Sequence, residues 1–92
     1  MNWEIELSPD AVKWLRKADP QTVRRIRAAL RAITVLDSPR NRGKALTGGL
    51  SGLWRYRIGG YRVVCDLQDA RLVVLVIDID HRSSIYEYGL SI

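Results

Sequence analysis

Ninety-two residues, 47% apolar and 27% charged, can close one hydrophobic core but not two. Twelve Arg and three Lys against ten acids give a net charge of +5, and this arginine-rich basicity implies nucleic acid or an acidic protein as partner. A lone cysteine excludes an internal disulfide and fits a reducing compartment, while the lack of a long apolar run, a leader-like start or metal-ligand spacing predicts a single cytoplasmic domain over 1–92 with no membrane, metal or cofactor.

Residues 3–7 alternate apolar and charged, the pattern of a half-buried strand. Ser8, Pro9 and Asp10 then supply an N-cap, a proline at the first helical position and a first-turn acid. They predict a helix to about residue 18 with Val12, Trp14, Leu15 and Ala18 on its buried stripe. Asp19-Pro20 repeats the signal and opens a second helix to about residue 36, with Val23, Ile26, Leu30, Ile33 and Leu36 inward. So short a connection makes the pair a helical hairpin. Arg16, Lys17, Arg24, Arg25, Arg27 and Arg31 face outward, either as solvated charge or as a surface for phosphates or an acidic partner. Residues 37–44 form a polar basic loop that Pro39 keeps from continuing the helix, and residues 46–52 extend it. The glycines there lack the preceding strand and the Gly-Lys-Ser/Thr ending of a phosphate loop.

Two alternating runs around Gly59-Gly60 predict a β-hairpin whose two turn residues both accept positive φ. Ile58 then faces Tyr61, Arg57 faces Arg62 and Arg55 faces Val64. Alternation puts Arg55, Arg57 and Arg62 on one face and Trp54, Tyr56, Ile58 and Tyr61 on the other. Like charges set opposite one another cost stability, so an anionic ligand is the expected reason for the arginines. The second hairpin strand runs to residue 67, residues 68–70 turn, and residues 71–79, apolar on both faces, form a central covered strand. One N-terminal strand and a three-stranded antiparallel meander, backed by the helical hairpin, make an α+β fold. The third meander strand ends beside the Gly59-Gly60 turn, which brings Arg82 and Tyr86 towards Arg57 and Arg62 and leaves residues 87–92 as a tail. Trp3, Trp14, Trp54, Tyr56, Tyr61 and Cys65 read as core.

The run Leu-Trp-Arg-Tyr-Arg-Ile-Gly-Gly-Tyr-Arg-Val-Val, an apolar strand, and then His-Arg-x-x-x-Tyr, in this order in a short basic chain, resembles the RelE/ParE toxins of bacterial type II toxin–antitoxin pairs over nearly the whole length. The resemblance implies a twisted antiparallel sheet with a helical hairpin, the RelE-like, microbial-ribonuclease-type fold. In the RelE branch it also implies metal-independent cleavage of messenger RNA in the ribosomal A site, leaving a 2′,3′-cyclic phosphate and a 5′-hydroxyl. Matched residue by residue, Arg55 and Arg57 stand at basic site positions, Arg62 and Arg82 at arginines and Tyr86 at a tyrosine. Family members can carry lysine where Arg55 and Arg57 stand; arginine holds its proton too tightly for a base, so the substitution points to phosphate positioning.

On this reading Arg57 and Arg62 hold the scissile phosphate, Arg82 stabilises the transition state or protonates the leaving oxygen, and Tyr86 stacks on a base. His81 is the candidate general base if it points into the site, and a structural strand-end residue otherwise. The implied partners are messenger RNA, the ribosome and a RelB-like antitoxin whose acidic or amphipathic segment covers the basic surface. Two alternatives share the scaffold: a ParE-like protein that binds DNA gyrase through its arginines, and an inactive relative that only binds its antitoxin.

Overall fold

The computed structural model describes residues 2–81, and its first strand and first helix meet at Ser8. The first strand, β1 (Glu4–Leu7), gives way to α1 (Pro9–Lys17), which begins on the Ser8 hydroxyl: this oxygen accepts from the Ala11 N–H at 3.1 Å. Asp19 caps α2 (Pro20–Thr34) in the same way, through the Thr22 N–H. Both helices pack on one face of a five-stranded sheet completed by β2 (Lys44–Ala45), β3 (Trp54–Ile58), β4 (Tyr61–Gln68) and β5 (Val73–His81). Strand order is β1-β5-β4-β3-β2, with β1 parallel to β5 and the other pairs antiparallel. No helix among the described residues is long and apolar enough to cross a membrane.

The α+β class matches the sequence expectation, with β2 as a fifth strand where a polar loop was expected. That segment is held from beneath by the sheet's own side chains. The Tyr56 hydroxyl donates to the Pro39 carbonyl at 2.7 Å, the Trp54 indole to the Arg42 carbonyl at 2.7 Å, and Arg40 forms a forked pair with Asp69. Gly43 fits against this corner at φ +79°; a Cβ there would lie 2.4 Å from the Arg55 carbonyl oxygen and 2.6 Å from the Trp54 indole nitrogen, so only glycine fits.

The core lies between the helices and one sheet face. Ala11, Leu15, Ile26, Leu30 and Ile33 meet Tyr56, Ile58, Val63, Cys65, Val74, Val76 and Ile79. The α1 stripe centres on Ala11 and Leu15, with Val12 and Trp14 only half-buried, and α2 stops at Thr34, two residues before its expected end. Burial first, then the neighbouring Asp66, pushes the Cys65 thiol up to about 12, so it remains a protonated core residue. The hairpin register is the expected one, Arg57 opposite Arg62 and Arg55 opposite Val64. Its turn differs: Gly59 takes φ +61° while Gly60 does not take positive φ, the pattern of a II′ turn, in which the first residue alone needs glycine's freedom.

One irregularity controls the rest of β5. Val64 faces Asp78 but the next residue, Cys65, faces Val76, so Ile77 is an extra residue in β5. Its carbonyl accepts from the Ser8 hydroxyl at 2.6 Å. Ser8 therefore caps α1, satisfies the bulge and, through its own N–H to the Val76 carbonyl at 2.8 Å, continues the β1–β5 pairing. Ser8→Ala removes a cap and strands a carbonyl in one step, and is expected to cost about 1–3 kcal/mol in urea unfolding. A loss under about 0.5 kcal/mol would show that neither bond matters.

Candidate functional site

The sheet face away from the helices carries the arginines, and the strand registers align them in two rows. In one row Arg57 of β3, Arg62 of β4 and Asp80 of β5 lie side by side. In the next, two residues along the strands, come Lys44 of β2, Arg55 of β3, Val64 of β4 and Asp78 of β5. Cross-strand neighbours of this kind have Cβ atoms about 5 Å apart, so the four cations form one patch. Arg57 is exposed, Arg55 and Arg62 are half-buried, and the Arg62 Nε is shut off from solvent. Gly43, Lys44, Arg55 and Arg57 line a groove of about 280 Å³.

Three of the expected site residues, Arg55, Arg57 and Arg62, are thus brought together. Arg82 and Tyr86 lie outside the described residues. His81 does not join the arginines. It stands directly opposite Tyr61, its ring edge-on to that tyrosine with centroids 5.3 Å apart, and Tyr61 in turn meets Trp14 of α1 at 5.4 Å. The physical reason is the Ile77 bulge. Counting back by twos from His81 would put it with Ile77, opposite in parity to the core residue Val76; the extra residue reverses that parity and sends His81 and Ile79 to the helix side.

The same reversal delivers Asp78 and Asp80 to the arginine face, where sequence reading had placed no acid. Both also serve the exposed end of β5 beyond β1: Asp78 accepts from the Ile79 N–H at 3.0 Å and Asp80 from the His81 N–H at 2.7 Å. Burial, with Asp80 and Asp10 nearby, raises the Asp78 carboxyl above its ordinary range despite the bond from Ile79. Lys44 was also missed, because a lysine in a loop of polar residues carries no sign that it will pair with Arg55. The face has a charge gradient as a whole: cations near the hairpin turn, then Asp78 and Asp80, and Asp66, Glu4 and Glu6 beyond.

Residues 5–86 match the family model described as the ParE toxin of type II toxin–antitoxin systems, parDE. The chain belongs to that family. Solved structures share the fold of this toxin. The RelBE2 toxin–antitoxin complex from Mycobacterium tuberculosis aligns with a TM-score of 0.72 at 26% identity, over 90% of this chain and 94% of that one. A doubly substituted E. coli RelE in the free state aligns at 0.74 and 23%, over 99% and 97%. The archaeal RelE–RelB complex from Pyrococcus horikoshii aligns at 0.69 and 23%, over 89% and 97%. No match was found among curated proteins.

The raised Asp78 carboxyl has a signed consequence for the toxin's stability. As pH falls through that raised value, the folded chain takes up a proton before the unfolded chain does, so this group favours folding increasingly down to the ordinary carboxylate range. Asp78→Asn is therefore expected to raise the urea midpoint at pH 7, with the gain vanishing near pH 3. A gain that persists unchanged at pH 3 would contradict the assignment.

Proposed function

We propose that this toxin is an endoribonuclease that cuts messenger RNA in the ribosomal A site without a metal ion. The observation that carries the reading is the Arg57–Arg62 pair, two guanidinium groups directly opposed across β3 and β4 with Arg55 and Lys44 beside them. In the reaction the 2′-oxygen attacks the adjacent phosphorus, the bond from phosphorus to the 5′-oxygen breaks, the 2′-proton passes to solvent water and the 5′-oxygen gains a proton from Arg82 or from water. The products are a 2′,3′-cyclic phosphate and a 5′-hydroxyl. Negative charge grows on the phosphoryl oxygens as the fifth bond forms, and fixed guanidinium groups match it without having to reorganise. A splayed backbone laid across the sheet also holds the attacking oxygen in line with the leaving one.

With His81 on the helix side, Arg55, Arg57 and Arg62 supply charge and alignment rather than proton transfer. Arg82 keeps the role of stabilising the transition state or protonating the leaving oxygen, and Tyr86 that of stacking on a base. His81 acts as a strut for the hairpin turn, packed on Tyr61. A small antitoxin with an acidic segment covers the same face between bursts of activity; structures of RelE-type toxins from M. tuberculosis and P. horikoshii are of toxin–antitoxin complexes.

A second reading rests on the ParE family model and on α2, whose outward side carries Arg24, Arg25, Arg27 and Arg31 and no acid. There the arginines contact DNA gyrase and no RNA is cut. The two readings separate on induction in growing cells without antitoxin, with new 5′ ends mapped on messenger RNA. Codon-phased 5′-hydroxyl ends are expected with wild type, reduced at least about 100-fold by Arg57→Ala/Arg62→Ala, in line with the loss of a preorganised charge at a transition state. Growth arrest with intact messages and blocked replication would establish the gyrase reading instead.

A further inference from the structure

The patch has one cation that no part of the mechanism above uses. Lys44 is exposed and stands on a two-residue edge strand, and a lysine there could serve only to discourage edge-to-edge association. Its surroundings are more elaborate than that task needs. On one side the Trp54 indole holds the Arg42 carbonyl and Gly43 sits against the Arg55 carbonyl; on the other the Leu46 N–H donates to the Leu53 carbonyl at 3.0 Å. The backbone of Lys44 is pinned on both sides, and the register sets its side chain beside Arg55 over the 280 Å³ groove.

The distance between the two rows gives this placement a meaning. Arg57 and Arg55 are two residues apart on β3, so the Arg57–Arg62 row and the Lys44–Arg55 row lie about 7 Å apart along the strands. That is close to the separation of successive phosphates along a nucleic-acid strand. A phosphodiester backbone carries a charge at every step of this repeat, whereas an extended peptide, whose same-face side chains also recur at about 7 Å, matches it only where acidic residues fill successive same-face positions. Arginine in the first row gives forked contact with one phosphate, and the ammonium of Lys44 adds a point charge to a second.

We propose that the sheet face holds two successive phosphates of a single RNA strand, the scissile one at Arg57 and Arg62 and its neighbour at Lys44 and Arg55, with Lys44 a substrate-binding residue that takes no part in the chemistry. The inference rests on the ribonuclease reading for which phosphate is cut, but the two subsites can be tested by binding alone.

The test uses the full chain and a fluorescent, uncleavable 2′-O-methyl RNA heptamer, with affinity read by anisotropy across a salt series. Lys44→Ala should weaken binding about threefold to tenfold and lower the slope of log affinity against log salt by about 0.7, while Lys44→Arg should restore both and neither should change the melting temperature. On programmed ribosomes Lys44→Ala should raise KM and leave kcat within about twofold, the signature of binding shared by ground and transition states. An unchanged affinity and slope, a wild-type chain that does not bind the heptamer, or a fall in kcat at constant KM would each overturn the proposal. So would an effect of Lys44→Ala confined to antitoxin affinity, which would make the residue a protein contact. If wild type binds and Lys44→Ala shows the expected loss while no message is cut in cells, the two subsites stand and the ribonuclease reading falls.

Discussion

The hydroxyl of Ser8 bonded to the Ile77 carbonyl fixes which side chains can meet the arginines. A strand with period two has no freedom of its own to choose, since every residue's face follows from its neighbour's. The extra residue at Ile77 resets that order within β5. Before it, Val74 and Val76 face the helices; after it, Ile79 and His81 do, and Asp78 and Asp80 turn to the open face. Without the bulge Asp78 and Asp80 would turn to the helix side and Ile79 and His81 to the open face. A bulge leaves a backbone carbonyl to be satisfied, and the same oxygen that starts α1 provides the donor. The helical hairpin and the chemistry of the sheet's far face are thereby coupled through one residue.

Both helices cover the same side, so the other side keeps its polar alternation for binding. Four cations crowd one corner of it, which costs stability in the free chain. Two features limit that cost. Asp80 lies beside Arg62 and Asp78 continues the row of Lys44 and Arg55, so each cationic row ends in a carboxylate. The open face also lets water screen the rest, as exposed charges in a high dielectric interact weakly. An anion arriving on the patch gains from all four cations while meeting the acids only at its border. The carboxylates thus set a limit to the cationic surface on the β5 side, and under the proposed function an RNA strand would run along β3 and β4 towards β2.

Much of this was legible in the sequence. The paired Ser-Pro and Asp-Pro starts located both helices, and the Gly-Gly pair between alternating runs set the hairpin register to the residue, including the Arg57–Arg62 opposition. Local chemistry dominates at such places: a cap needs its hydroxyl or carboxylate, and a two-residue turn leaves no choice of register. What stayed hidden depends on contacts distant in sequence. Ile77 carries no local sign of a bulge, because its partner Ser8 lies 69 residues away. Lys44 became part of the patch only because Tyr56, Trp54 and Gly43 fix a loop that on composition alone is merely polar. The central strand was recognised as apolar on both faces, but its Asp78 and Asp80 could be placed only once the parity change was known.

The central claim is that the helix-free face, and not the arginine-lined side of α2, receives RNA. Arginine Nε–Hε resonances, followed by NMR as the uncleavable heptamer is titrated into the full chain, report on every guanidinium at once. The account predicts that Arg55, Arg57 and Arg62 shift together and saturably while Arg24, Arg27 and Arg31 stay in place. Shifts confined to the α2 arginines, with the hairpin arginines unmoved, would contradict it.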